Sequence, residues 1–152
     1  MTFGPDLTLA LELADLADGI SMARFRAVDL LVTTKPDLTP VTEADHAVED
    51  ALRRHLGVVR PGQAFLGEER GDNSCASGAA ARWIVDPIDG TKNYVRGVPV
   101  WATLIALQRD GRMVAGVVSA PALGRRWWAA RGEGAFADGH PIRVSQVAAV
   151  ED

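Results

Sequence analysis

The segment 101–121, "WATLIALQRDGRMVAGVVSAP", places the strongest constraint on the fold of this chain. Two runs rich in β-forming residues flank Asp110-Gly111, a dipeptide that is typical of a two-residue hairpin turn. Further strands are predicted in 125–132 and 134–144, the latter turning at Asp138-Gly139. The C-terminal half therefore predicts an antiparallel sheet.

The N-terminal half predicts two helices. Apolar residues at helical spacing predict the first helix over about 7–31. The segment 33–42, "TTKPDLTPVT", contains two prolines and is predicted as a loop. Lys35 in this loop is predicted to be solvated, with contact to the active site as the alternative. A second helix is predicted over 42–56, with Thr42 as N-cap and Asp45 as a weak capping-box partner. Together these patterns predict one α+β domain over residues 1–152, with two helices packed on a largely antiparallel sheet.

Composition excludes several classes of function. The net charge of −4 argues against a nucleic-acid-binding protein, which would usually be basic. The N-terminus has no basic start and is interrupted by acids, so we expect neither a signal peptide nor a membrane span. Cys75 is the single cysteine, lies in a predicted mobile loop over 71–81, and is expected to have no role. These features favour a reducing, cytoplasmic setting.

Acidic residues follow two predicted strands. The strand over 63–69 ends in Glu68 and Glu69, and the strand over 82–86 ends in Asp86, with Asp89 three residues later. Neighbouring strands are under about 5 Å apart, so adjacent ends would bring these carboxylates together. Such a cluster is tolerated when a divalent cation neutralises it, and oxygen ligands favour Mg²⁺, with Mn²⁺ or Ca²⁺ as substitutes.

The residues after Asp86 add an anion site to this acidic cluster. Pro87 would fix a turn that directs Asp89 and the Ile88 carbonyl towards the same ion. Gly90 permits close approach of a ligand, and Thr91 opens a segment predicted to form a helical turn, whose N–H groups attract anions. Asp-Pro and Asp-Gly alone are far more often ordinary turns. The combination at strand ends favours a phosphate-handling site.

Several blocks of the sequence resemble the inositol monophosphatase family of Mg²⁺-dependent, lithium-sensitive phosphatases. These blocks, in chain order, are "TPVTEAD" (39–45), "FLGEE" (65–69), "DPIDGTKNYVRG" (86–97), "GVVSAP" (116–121) and "WWAARGEGAF" (127–136). Within the family, the blocks are most similar to the histidinol-phosphate phosphatases of actinobacteria. The resemblance implies the first half of the αβαβα sandwich that this family shares with fructose-1,6-bisphosphatase.

The resemblance also implies roles for individual residues. Glu68, Asp86 and the Ile88 carbonyl would hold a first metal ion, while Asp86 and Asp89 would hold a second, and Glu68 would touch a third. Thr91, supported by Asp45, would orient and deprotonate the attacking water; Asp45 as a plain first-turn acid of its helix is the alternative. The catalytic residues are then Glu68, Thr91 and Asp45, and the substrate would contact Glu68, Ile88, Asp89, Gly90 and Thr91.

Family members normally continue into a second α/β domain, whose Trp-Asp motif completes the second metal site and contributes to substrate recognition. We therefore expect this polypeptide alone to be at best feebly active. The expected substrate is a small phosphomonoester, histidinol phosphate first and inositol 1-phosphate or a sugar phosphate as the alternative. A non-catalytic metal-binding half-domain that needs a partner chain is a third possibility. We expect a homodimer that binds neither nucleic acid nor membrane.

Overall fold

The computed structural model describes residues 3–72 and 80–149. Its helices are α1 (Pro5–Arg24), α2 (Glu43–Val59) and α3 (Thr91–Val95), and a short 3₁₀ turn spans Pro121–Leu123. Its strands are β1 (Val32–Thr34), β2 (Pro40–Thr42), β3 (Ala64–Gly67), β4 (Gly71–Asp72), β5 (Ala81–Asp89), β6 (Ala102–Arg109), β7 (Arg112–Ala120), β8 (Arg125–Ala130), β9 (Gly134–Ala137) and β10 (His140–Ile142). Cys75 and most of the predicted loop 71–81 lie outside the described residues, and the ends of that loop belong to β4 and β5. None of the helices in the described ranges has the length and apolar character needed to span a membrane.

Helix α1 is shorter than the sequence predicted. It ends at Arg24 rather than continuing to residue 31. Phe25 is extended and packs against Tyr94 and Trp101, with 5.4 Å between ring centroids in each pair. Arg24 forms an ion pair with Glu43, at the start of α2. These tertiary contacts override the local preference for further helical turns, which is weak in comparison.

The segment 33–42 was predicted as a loop, which is confirmed for 35–39 and wrong at both ends, where strands form. Strands β1 and β2 pair antiparallel and form a small separate hairpin, closed by a turn in which Leu38 has a φ of 68°. All three residues of β1 are exposed, so its sequence shows no alternation of apolar and polar residues that would predict a strand. The predicted start of α2 is confirmed, because Thr42 and Asp45 form a complete capping box.

The predicted antiparallel sheet is confirmed, with one parallel exception. Among the described residues the main sheet has eight strands in the order β10-β9-β8-β7-β6-β5-β3-β4. Strands β3 and β5 pair in parallel, and the other neighbours in the described sheet pair antiparallel. The turns at Asp110-Gly111 and Asp138-Gly139 have positive φ at both residues, as a type I′ hairpin requires.

Helices α1 and α2 cover one face of this sheet. The core between them contains fully buried side chains from both layers, including Leu13, Val48, Trp83 and Leu107. A smaller apolar cluster lies under α3 and contains Ala44, Ile88, Tyr94 and Trp101. The start of α2 and the ends of β3 and β5 meet next to this smaller cluster, and the predicted site residues lie there.

Candidate active site

The parallel pairing of β3 and β5 brings their carboxyl ends together. Gly67 lies opposite Val85 in this pairing, and the Glu68 N–H donates to the Val85 carbonyl at 3.1 Å. Glu68 and Asp86 each follow one member of that residue pair. Glu68 lies close enough to Asp86 to raise the pKa of that carboxyl group, so the structure brings these two predicted ligands together.

A bulge in β5 sets the direction of the second aspartate. Asp86 pairs with Leu104 and Asp89 with Ala102, so three steps along β5 match two steps along β6. Side chains alternate between the two faces of a strand, and one extra residue therefore puts Asp86 and Asp89 on the same face. The Thr103 hydroxyl, fully buried, donates to the Pro87 carbonyl at 2.8 Å and holds the bulge.

Burial and neighbouring charges act together on Asp86. Burial, which has the largest effect, and the neighbouring acids Glu68, Asp89 and Asp45 together raise the pKa of Asp86 to about 8. Its Oδ1 atom is buried and has no hydrogen-bond partner among the described residues. A carboxylate that is crowded by other acids and keeps one unpaired oxygen is suited to bind a cation.

Thr91 and Asp45 meet beside this cluster. The Thr91 hydroxyl lies 2.9 Å from the Ile88 carbonyl and 3.2 Å from Asp45 Oδ1. Asp45 is almost completely buried, and burial raises the pKa of its carboxyl group although hydrogen bonds from Thr42 and Thr91 oppose this effect. Asp45 is thus both a first-turn acid in a capping box and a direct partner of Thr91.

Gly90 allows α3 to begin close to the neighbouring chain. Its φ is 91°, and a Cβ atom at this position would lie 3.1 Å from the Val100 carbonyl oxygen and 3.4 Å from Trp101 Cβ. Both the backbone conformation and the space favour glycine here. As predicted, 91–95 forms a short helix behind it.

Lys35 and Glu69 lie beside the acidic cluster, although the sequence assigned neither of them a role in binding metal or substrate. The Lys35 ammonium contacts Glu69 at 2.8 Å and Glu68 at 3.1 Å, so the structure agrees with the alternative of contact to the site rather than with a solvated lysine. The Glu69 side chain is only 3% exposed, and its burial raises the pKa of the carboxyl group. The hairpin β1–β2, which the sequence did not reveal, carries Lys35 over the strand ends.

A cleft of about 450 Å³ opens over these residues, within the usual size for small-molecule sites. Its lining combines acids, two lysines and the start of α3: Lys35, Asp37, Thr39, Pro40, Glu68, Gly90, Thr91, Lys92 and Asn93. A more apolar groove of about 380 Å³ adjoins it and includes Asp89 and Trp127. Trp128, the next residue of β8, packs against the core instead.

The donor set fits a hard divalent cation in its chemistry. The predicted ligands are oxygen atoms, and a buried Asp86 oxygen lacks a partner. Within the described residues, 3–72 and 80–149, no group of three or more Asp, Glu, His or Cys side chains is already arranged to hold a metal ion. Glu68, with a side chain 48% exposed, and the exposed Asp89 have room to turn towards Asp86.

This architecture defines an α+β protein with an acidic site at the ends of two adjacent strands. The chain belongs to the inositol monophosphatase family, which matches it over residues 6–152. Enzymes of this family are generally Mg²⁺-dependent phosphatases. The prediction of family and of fold class from the sequence is therefore confirmed.

Relatives and solved structures agree with this assignment. The chain is 63% identical to a histidinol-phosphatase of Mycobacterium tuberculosis over 94% of its own length and 55% identical to one of Streptomyces coelicolor over 97%. It is 42% identical to an inositol-1-monophosphatase of Mesorhizobium japonicum over 77% of its length and 44% of that relative. The crystal structure of the extragenic suppressor protein suhB from Bartonella henselae superposes with a TM-score of 0.88 at 32% identity, over 95% of this chain and 56% of that one. The chain spans 56% and 58% of the two histidinol-phosphatases, slightly more than half their length.

Proposed function

We propose that this chain is the metal-binding half of a Mg²⁺-dependent phosphomonoesterase that acts on histidinol phosphate. The observation that carries the proposal is the convergence of Glu68, Asp89 and Asp45 around the buried Asp86, whose pKa burial and these neighbouring charges together raise to about 8. This acidic cluster lies beside a cleft that also contains Lys35 and Lys92. The carboxylates can bind metal cations and the positively charged lysines can bind an anion, so the cleft suits a phosphate ester together with its metal ions.

The oxygen atoms of Glu68, Asp86, Asp89 and the Ile88 carbonyl would hold two or three Mg²⁺ ions, or Mn²⁺ as a substitute. The chemistry supplied by bound metal would be neutralisation of charge and activation of water for attack on phosphorus. The carboxylates would fix the positions at which substrate and water meet, and positioning accounts for much of the catalysis of phosphoryl transfer.

Thr91 and Asp45 would handle the proton of the attacking water. The Thr91 hydroxyl would accept this proton as it passes its own to Asp45, from which it is 3.2 Å away. Burial raises the pKa of the Asp45 carboxyl group, which makes it a better base than an exposed aspartate. The backbone of Gly90 and Thr91, at the start of α3, would contact the phosphate oxygens.

Histidinol phosphate is the preferred substrate because the two histidinol-phosphatases above share 63% and 55% of aligned residues with this chain. Inositol 1-phosphate is the second candidate, favoured by the 42% identity to an inositol-1-monophosphatase. We further propose that the 152-residue chain alone is at best feebly active. In this proposal, a carboxylate from a second domain completes the second metal site, as the family resemblance implies.

A phosphate-release assay tests these proposals. Histidinol phosphate and inositol 1-phosphate are each supplied with Mg²⁺ to the 152-residue chain and to a chimera that extends it with the second half of the M. tuberculosis relative. We expect slow or no release by the chain and faster release from histidinol phosphate by the chimera. Preference for inositol 1-phosphate would overturn the substrate, and robust turnover by the chain alone would overturn its dependence on a second domain.

A further inference from the structure

Glu49 is a fully buried acid whose hydrogen bonds lead to the turn after β3. It lies in the middle of α2 and is 0% exposed. Its carboxylate accepts from the backbone N–H groups of Glu69 at 2.8 Å and Arg70 at 3.1 Å, and from the Arg53 guanidinium at 2.9 Å. A buried charge is costly unless it is paired and hydrogen-bonded, and here three donors provide that compensation.

Gly67 provides the space that this carboxylate occupies. A Cβ atom at Gly67 would lie closer than 3.0 Å to all three atoms of the Glu49 carboxyl group. The φ of Gly67 is not positive, so the absence of a side chain matters here for space rather than for backbone conformation. Gly67 and Glu49 therefore fit each other directly beneath the acidic turn.

These contacts take up consecutive backbone groups around the acids of the site. The Glu68 N–H donates to β5, and the next two N–H groups donate to Glu49. The turn is thus held from the sheet on one side and from α2 on the other. We propose that Glu49 is a positioning residue, which fixes the backbone at Glu68 and Glu69 and thereby places the Glu68 carboxylate at the proposed metal site.

The same helix face positions the other half of the site. Asp45 lies four residues before Glu49, one helical turn away, and contacts Thr91 after β5. One face of α2 therefore contacts both acid-bearing strand ends. Asp45 contacts the Thr91 side chain after β5, and Glu49 contacts backbone N–H groups after β3. The relative placement of Glu68 and Asp86 depends on this helix as well as on strand pairing.

Two variants of the 152-residue chain test Glu49, and the metal-binding readout rests on the proposed function. Glu49→Gln keeps the size but removes the charge, and Gly67→Ala displaces an intact Glu49. In both variants we expect Mn²⁺ affinity, measured by titration calorimetry, to fall about 10- to 100-fold, the range for residues that orient metal ligands. We also expect amide hydrogen exchange at Glu69 and Arg70 to be at least about 10-fold faster, because one lost hydrogen bond of about 1.5 kcal/mol corresponds to this factor.

Asp18→Asn is the matched control, because Asp18 accepts from Ser119 and Arg126 away from the strand ends. It should lower thermal stability but leave Mn²⁺ affinity and the amide exchange rates of Glu69 and Arg70 unchanged. If Asp18→Asn weakens Mn²⁺ binding as much as Glu49→Gln does, the effect of Glu49 is a general loss of stability and not the positioning of Glu68. Unchanged affinity and exchange in Glu49→Gln and Gly67→Ala would overturn the proposal. If Glu49→Gln does not fold, Gly67→Ala decides. If the unmodified chain binds no Mn²⁺, the proposed metal site fails separately, and exchange at Glu69 and Arg70 decides on Glu49.

Discussion

The two acid-bearing segments of the site are held in different ways. The segment after β3, 67–71, has two backbone N–H groups bound to Glu49, while the Glu68 side chain remains 48% exposed. The segment in and after β5, 86–91, contains a bulge fixed by Thr103, a proline and a glycine with positive φ. The first segment has a fixed backbone and an adjustable carboxylate, whereas the second has constraints on nearly every residue.

This difference suggests how the site changes when metal binds. Asp86 is crowded and constrained, and one of its oxygens is buried without a partner. Glu68 is instead paired with Lys35, which follows the exposed strand β1. We expect the β5 segment to stay in place and Glu68 to exchange its contact with Lys35 for metal contacts. The following variants test that division of roles.

Asp86→Asn should have the largest effect. Mn²⁺ affinity should fall by more than about 100-fold, beyond the range for residues that only orient ligands, because Asp86 is proposed to contact two ions. The metal-free chain should be as stable as before or more stable, since an amide is not repelled by Glu68, Asp89 and Asp45. Calorimetric Mn²⁺ titration and thermal unfolding of the metal-free protein measure the two effects. Asp72→Asn, on the exposed strand β4, is the control, and near-normal Mn²⁺ affinity in Asp86→Asn would mean that the cluster is not the metal site.

Gly90→Ala should cost the most stability among changes that leave the acids intact. The variant meets both a positive φ of 91° and the Val100 carbonyl oxygen at 3.1 Å, so a loss of about 2–3 kcal/mol is expected. Gly139→Ala shares a positive φ of 84° but has nothing within 4 Å, and should lose about 1 kcal/mol. Urea unfolding compares the two. Equal losses would show that φ alone matters and that the β5 segment is less constrained than its contacts indicate.

Much of this site could be predicted from the sequence because its residues are local to one strand end. Asp86, Ile88, Asp89 and Thr91 lie within six positions, and the apolar run before them predicts the strand. Contact of Lys35 with the site could be given only as an alternative, since it depends on a hairpin whose outer strand is wholly exposed. The early end of α1 was missed for a related reason, because Phe25 leaves the helix to pack on side chains about 70 residues later. For Glu49 the sequence offered one signal, namely that it is an acid four residues after Asp45, beside the apolar stripe of α2.

Thr103→Val should have a smaller effect, directed at the bulge. It removes the buried hydroxyl that donates to the Pro87 carbonyl and should cost about 1–2 kcal/mol. Thr103→Ser keeps this hydroxyl but loses a methyl group, so its loss of about 1 kcal/mol is similar. Mn²⁺ affinity separates them: the bulge directs Asp89, so affinity should fall in Thr103→Val and stay normal in Thr103→Ser. The same affinity in both would mean that the bulge keeps its shape without this bond.

Asp50→Asn should have the smallest effect and tests what holds the β3 segment. Asp50 on α2 accepts two hydrogen bonds from Arg70, at 2.6 and 2.7 Å, but both side chains are more than 40% exposed. Exposed ion pairs contribute at most about 1 kcal/mol, so the loss should be within this limit and should shrink in high salt.

The pH dependence of this loss has a defined direction. Arg70 lowers the pKa of Asp50 below its ordinary value of 3.8, so the contribution of the pair is present above that value and disappears as the pH falls through the lowered pKa. Urea unfolding at neutral and acidic pH measures the change. Mn²⁺ affinity should stay normal, in contrast to Glu49→Gln, because the backbone bonds to Glu49 remain. An equal fall in Mn²⁺ affinity in Asp50→Asn and Glu49→Gln would contradict this expectation. It would show that the Asp50–Arg70 pair, and not only Glu49, holds the backbone of the turn after β3.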